Sequence, residues 1–184
     1  MLIALLSDHP EIRREAAGAL WSLGADSENQ RMIAEEGGIP KLVDLLKYGK
    51  NNTAQDTAAG ALHSLAARPE NRDRIADADG ISLLIPLFDG CSTEAKHSVS
   101  GALLTLAIDN TSNQFNIASK LVALLASGPD DAKEAMDGSN DAMKSRLEAQ
   151  EHATRVLYTM TMERDYKEAL SRTGAISQLV RQLK

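Results

Sequence analysis

The chain has 184 residues, of which 43% are apolar, 25% charged and 3% aromatic, a balance that suits a packed core and excludes wholesale disorder. Its 20 Lys and Arg stand against 26 Asp and Glu, for a formal net charge of −6. The basic footprint of a polyanion binder is absent, so nucleic acid is not an expected partner. A single cysteine, Cys91, excludes an internal disulfide framework and any zinc site built on several thiolates. With no basic residue or histidine beside it, Cys91 reads as a partly buried structural thiol.

The first apolar run, Leu2-Ile3-Ala4-Leu5-Leu6, is too short for a signal sequence, and no stretch reaches the ~20 apolar residues of a membrane span. A soluble protein of the cytoplasm or nucleus is expected. Internal repetition is the strongest signal in the chain. Ala16-Ala17-Gly18-Ala19-Leu20 returns as Ala58-Ala59-Gly60-Ala61-Leu62 and, loosened, as Val99-Ser100-Gly101-Ala102-Leu103, with the glycines 42 and 41 residues apart. Ala153-Thr154-Arg155-Val156-Leu157 keeps the apolar frame without the glycine. A second string shares the period. It runs through Leu2–Leu6, Leu42-Val43-Asp44-Leu45-Leu46, Leu84-Ile85-Pro86-Leu87-Phe88, Leu121-Val122-Ala123-Leu124-Leu125 and Leu179-Val180-Arg181-Gln182-Leu183. A third, Glu28-Asn29-Gln30 and Glu70-Asn71-Arg72, places an isoleucine (Ile33, Ile75) four residues after its asparagine.

Each unit reads as three helices. In 52–67, Ala54, Thr57, Ala58, Ala61, Leu62 and Leu65 recur at spacings of three and four and mark an apolar helical face. Gly37-Gly38 and Pro40 punctuate the entry to a second helix, and Asn51-Asn52-Thr53 supplies oxygens to cap a third. No sustained period-two alternation points to a sheet. A unit of about 40 residues cannot bury its face alone, so stacking must build the core. The fold class expected is all-α, a right-handed α–α superhelix of about four three-helix repeats truncated at both ends. The repeats fall at 1–27 (partial), 28–68, 69–109, 110–163 with an insertion at 127–151, and 164–184 (partial), all in a single array.

The wording of these strings resembles the armadillo repeat family. Gly38-Ile39-Pro40-Lys41-Leu42-Val43-Asp44-Leu45-Leu46 is similar to that family's second helix, and Ala58-Ala59-Gly60-Ala61-Leu62-His63-Ser64-Leu65-Ala66 to its third. The resemblance implies third helices lining a concave groove for a protein or peptide partner. In importin-alpha-like members, those helices present a tryptophan and, four residues later, an asparagine. The corresponding positions here are Gly18, Gly60, Gly101 and Arg155, then Ser22, Ser64, Thr105 and Thr159, so both arrays are missing. The column before the hydroxyls holds Trp21, His63, Leu104 and Tyr158. Helical spacing groups Arg14, Trp21 and Ser22 on one strip. It groups Asp56, His63 and Ser64 on the next, then His97, Leu104 and Thr105, then Arg155, Tyr158 and Thr159. Mixed charge with a few aromatics suits recognition of a peptide or helix, while the plainer reading makes Trp21 and Tyr158 half-buried packing residues.

The pattern breaks twice in the fourth unit. From Asn71 to Leu84 is 13 residues but from Asn113 to Leu121 only 8, which predicts first and second helices shortened or fused around 113–126. Between Leu125 and Ala153, 16 extra residues make an acidic insertion, with a short helix at 130–136, a break at Asp137-Gly138-Ser139-Asn140 and a helix from Ala142 onward. Ala142 stands where a calcium loop beginning at Asp137 needs its turn glycine, so a solvated turn is expected and no metal site. The chain opens on a second helix and stops after another, so it is either part of a longer array or pairs with itself through uncapped repeat ends. No phosphate loop, H-E-x-x-H or G-x-S-x-G string occurs, and His9, His63, His97 and His152 have no ligand spacing. His97 and His152 read as surface residues. No cofactor and no enzyme are expected. The leading function is a non-catalytic interaction scaffold. The alternatives are a nuclear-transport-type adaptor for basic signals, or the targeting module of a larger enzyme such as a ubiquitin ligase.

Overall fold

The computed structural model describes residues 2–7, 9–47, 53–89, 92–126 and 140–162, with the single positions 167 and 171. Cys91, the Asn51-Asn52 cap, the extra helix at 130–136 and the closing string at 179–183 lie outside the described residues. The helices in chain order are α1 (Leu2–Leu5), α2 (Pro10–Leu23), α3 (Ser27–Glu35), α4 (Gly38–Leu45), α5 (Thr53–Ala66), α6 (Pro69–Asp77) and α7 (Gly80–Leu84). A 3-10 turn (Ile85–Phe88), α8 (Thr93–Ala107), α9 (Thr111–Ala126) and α10 (Asn140–Met162) follow. No strand occurs among the described residues. The chain divides into two compact units, Met1–Ile108 and Asp109–Lys184.

In the first unit, two successive helix triplets have the lengths the repeat implies: α3, α4, α5, then α6, α7 with its 3-10 turn, α8. The starts are set by local chemistry. Asp26 accepts hydrogen bonds from the backbone N–H groups of Glu28 and Asn29 at 3.0 Å and opens α3, while Ser92 accepts from Ala95 N at 3.1 Å and opens α8. Proline stands in the first turn of α2 and α6, where its missing N–H has no intrahelical role. Between first and second helices the backbone turns through the left-handed region, at Gly37 (φ 76°) and then at Asp79 (φ 66°). The second helix of the next triplet ends early because Pro86 replaces Asp44 of the preceding one. A proline there removes an N–H donor and crowds the preceding turn, so the chain finishes as a 3-10 turn.

The third helices α2, α5 and α8 carry the core, with α5 packed along both α2 and α8. α5 is enclosed nearly all round, with Ala54, Ala58, Ala59, Ala61, Leu62, Leu65 and Ala66 all buried. Small residues are what let three helices lie this close.

The polar string Glu-Asn-Gln/Arg acquires its role only in three dimensions. Helix carbonyls at a C-terminus have no partner in their own helix. Gln30 Nε2 donates to Gly24 O at 2.9 Å, at the end of α2. At the end of α5, Asn71 Nδ2 donates to Leu65 O at 3.0 Å, and to Gln30 O of the preceding triplet at 3.3 Å. Arg72 closes the same end by donating to Ala66 O at 3.1 Å, and reaches Ile108 O, just past α8, at 3.2 Å. Its positive charge sits at two helix C-termini, where the peptide dipoles favour it. Asn71 is 1% exposed, so water cannot replace it. Asn71→Leu is expected to lower unfolding stability by about 1–3 kcal/mol, the cost of leaving buried carbonyls unsatisfied. Asn71→Asp should lower it further, because a carboxylate cannot donate to them. Urea denaturation of the three proteins checks the order.

In the second unit, α9 is one uninterrupted helix where earlier repeats have two, the fusion that the eight-residue spacing predicts. Without the glycine elbow, nothing stops the first helix from running into the second. Asn110 caps it, accepting from Asn113 N at 2.9 Å, and Asn113, Gln114, Ile117, Ala118, Leu121 and Leu125 form its buried face. α10 packs against α9 and runs unbroken from Asn140, so the helix expected from Ala142 is present. One expectation is corrected. His152 is buried, not a surface residue, because it lies at helical spacing from Ala149, Ala153, Val156 and Met160 on the core face of α10.

Candidate functional site

The candidate residues of the first unit sit on the three stacked helices. Arg14, Trp21 and Ser22 are on α2, Asp56, His63 and Ser64 on α5, and His97, Leu104 and Thr105 on α8. Arg14, Ser22 and His97 are exposed, while Trp21, Asp56, His63, Ser64, Leu104 and Thr105 are half-buried. Arg14 is ion-paired with its neighbour Glu15 at 2.5 Å, a surface contact with little influence on stability. His97 Nδ1 lies 2.8 Å from Thr93 O. The Thr105 hydroxyl donates to Gly101 O at 2.8 Å, one turn back in its own helix, which leaves its oxygen lone pairs as acceptors for an incoming N–H.

The column expected to hold binding anchors has a second duty in this unit. The Trp21 indole lies over Gly60, and a Cβ built on that glycine would fall 2.6 Å from its Cδ2 and Cε2 atoms. The His63 ring lies over Gly101 in the same way, 2.5 Å from such a Cβ at Cε1 and 2.6 Å at Nε2. Each ring therefore occupies the volume that a side chain at the glycine of the next layer would need. Ser64 takes part in the same stacking, its Cβ 3.1 Å from the place of a Cβ on Gly24. The pairing was open to inspection in the sequence, since each glycine precedes a bulkier residue by three (18/21, 60/63, 101/104). What the sequence does not carry is that the bulky residue of one unit meets the glycine of the next.

Burial holds the pKa of His63 below the ordinary histidine value of 6.5. The folded protein then resists a proton that the unfolded chain accepts. The contribution of His63 to stability is full above about pH 6.5 and is lost as pH falls from there toward the lowered folded value. His63→Leu, the residue that the next unit carries as Leu104, should flatten the fall in stability across that window. Paired urea titrations above and below it give the measurement, and equal slopes for both proteins would refute the assignment.

In the second unit, Arg155, Tyr158 and Thr159 are exposed on α10. Arg155 pairs with Glu151 at 2.6 Å, one turn away, and Thr159 donates to Arg155 O at 2.9 Å. Among the described residues, no group of three or more His, Cys, Asp or Glu could hold a metal ion, and no helix is long and apolar enough to cross a membrane.

Residues 26–67, which span α3, α4 and α5, match the family model Armadillo/beta-catenin-like repeat. The Splicing regulator ARVCF of Homo sapiens is 45% identical over 60 residues, a segment covering 30% of this chain and 6% of that protein, and the Mus musculus protein matches equally. The match thus spans only a small part of those relatives' length. Among solved structures, a computationally designed armadillo repeat protein for modular peptide recognition is similar with a TM-score of 0.65 at 24% identity, covering 98% of this chain and 72% of that one. A designed armadillo repeat protein in complex with the peptide (KR)4 shows the same figures. An engineered protein covering 100% of this chain, and itself covered to 70%, also has a TM-score of 0.65. The chain has the all-α armadillo fold, and its residues 26–67 match the armadillo repeat model.

Proposed function

We propose that this chain is a non-catalytic interaction scaffold that holds an extended or helical segment of another protein along the strip made by α2, α5 and α8. The reading is carried by one observation. Three third helices packed side by side present Arg14 and Ser22, then Asp56 and Ser64, then His97 and Thr105, at matching positions and with accessible polar atoms. Polar hooks at one repeat spacing suit a chain whose own backbone groups recur regularly, and many shallow contacts on a rigid surface limit the ordering entropy of binding to the segment itself. The half-buried Trp21, His63 and Leu104 supply apolar floor between the hooks. Within the second unit, Arg155, Tyr158 and Thr159 hold the corresponding register positions on α10. The designed armadillo proteins of similar fold, described as made for peptide recognition, support a peptide as the ligand class.

The test starts from a binding peptide selected from a random display library. Arg14→Ala, Asp56→Ala and His97→Ala should each weaken it several-fold without moving the melting temperature. Amide protection on peptide binding should fall on α2, α5 and α8. Protection confined to α3, α4 and α6 would overturn the reading. A panel of lysine-rich and neutral peptides at varied salt addresses the adaptor alternative. Capture restricted to the lysine-rich members and abolished by salt would favour it.

A further inference from the structure

His63 meets Gly101 with the polar edge of its ring. Cε1, Nε2 and Nδ1 are the three atoms nearest the place of a Cβ there, at 2.5, 2.6 and 3.0 Å. The ring is half-buried, and no hydrogen bond or charged neighbour among the described residues offsets that burial. The surrounding helices supply nothing to neutralise an imidazolium. Within 97–105 of α8 the titratable side chain is His97, a second base, and 59–67 of α5 and 17–24 of α2 add none. The nearest carboxylates on α5 and α8, Asp56 and Glu94, stand two turns from His63 and Gly101 along their helices. From α6, Arg72 brings another positive charge to the ends of α5 and α8, and Glu70 is paired with Arg68 at 3.1 Å. On α3, Glu28 and Glu35 are paired with Arg31, and Asp44 of α4 with Lys47. The ring also lies within the proposed peptide strip. His97 and Thr105, the two polar hooks of α8, stand one turn before and one turn after Gly101, so a segment that reaches both crosses the imidazole.

We infer that a segment bound on this strip covers His63 in its neutral form, so that binding expels a proton from His63 and acid releases the segment. The inference rests on the peptide strip proposed above and adds its regulation by pH. A fully covered imidazole resists its proton more than a half-covered one. Below the His63 pKa of the free protein, the complex therefore carries fewer protons than its separate parts, and affinity must fall with pH. Affinity is full above about pH 6.5 and falls by at most about tenfold per pH unit below the lowered value of the free protein, one proton being the limit.

The test uses the 184-residue chain and a peptide capped at both ends, selected from a display library without His, Cys, Asp or Glu. No group of such a ligand titrates between about pH 5 and 7. Isothermal titration calorimetry in two buffers of different ionisation enthalpy counts the protons released on binding. It is run at the lowest pH where circular dichroism shows the free chain fully folded. Wild type should release a measurable fraction of a proton per peptide, and its Kd should rise several-fold from neutral pH to that point. His63→Leu should lose most of the release and flatten the slope. His97→Asn should bind more weakly yet keep both. No release by wild type, equal release by His63→Leu, or loss of release in His97→Asn overturns the inference. Amide protection separates its failure from that of the strip. Protection on α2, α5 and α8 without proton release sinks the inference alone. No selected binder, or protection confined to α3, α4 and α6, sinks both.

Discussion

Gly60→Leu should destabilise the first unit by about 3 kcal/mol, the upper part of the range for overpacking a close-packed core. The sign is the informative part. Replacing a glycine within a helix by a residue with a side chain ordinarily stabilises it by roughly 0.5–1 kcal/mol through the unfolded state. Here the indole of Trp21 already occupies the space, with two ring atoms 2.6 Å from where the new Cβ would be. To admit the leucine, the half-buried indole must be displaced from its seat or the two helices must part, and either loses packing. The double variant Trp21→Ala/Gly60→Leu should recover much of the loss, since the leucine then fills the volume the ring vacates. Urea unfolding of the wild type, both single variants and the double variant measures the coupling. Additive losses would mean that Trp21 and Gly60 do not share that volume. At Gly18, where a Cβ would meet nothing nearer than Thr57 Cγ2 at 3.6 Å, the ordinary sign should return.

Phe88→Ala should lower stability by about 3–5 kcal/mol, the range for truncating a fully buried aromatic. Phe88 is 0% exposed and closes the 3-10 turn that packs against α8. Ile85 and Leu87 of the turn are buried too, but Phe88 is its largest side chain and leaves the largest cavity when truncated. Phe88→Leu keeps most of the volume and should lose no more than about 1.5 kcal/mol, which separates a cavity effect from a requirement for the ring itself. Thermal unfolding followed by circular dichroism gives both values. A Phe88→Ala loss below that of Phe88→Leu would contradict the burial seen here.

Much of this architecture was legible because repetition converts weak local signals into a strong one. A single Ala-Ala-Gly-Ala-Leu string says little, but its return after 42 and 41 residues places the third helices and fixes their register. The fused helix α9 was legible for the same reason, as a shortening of an established period. His152 was misplaced because the fourth unit lost its glycine and its regular spacing, so the face of α10 that points inward had to come from packing. The candidate strip was half legible. Its residues could be assigned to one face of each helix, yet Trp21 and His63 look identical in sequence whether they face a partner or the next repeat.

By itself the sequence determined the all-α class, the triplet of helices in the regular repeats and the helix register, because these depend on spacings of three, four and about 42 along one chain. Only the tertiary structure decided which faces meet. Ring on glycine, Asn71 on the carbonyls of two different repeats, and Arg72 between the ends of α5 and α8 are all contacts between residues distant in the chain. Their energies depend on distances of a few ångströms between helix axes, and no periodicity along one helix encodes the offset of its neighbour.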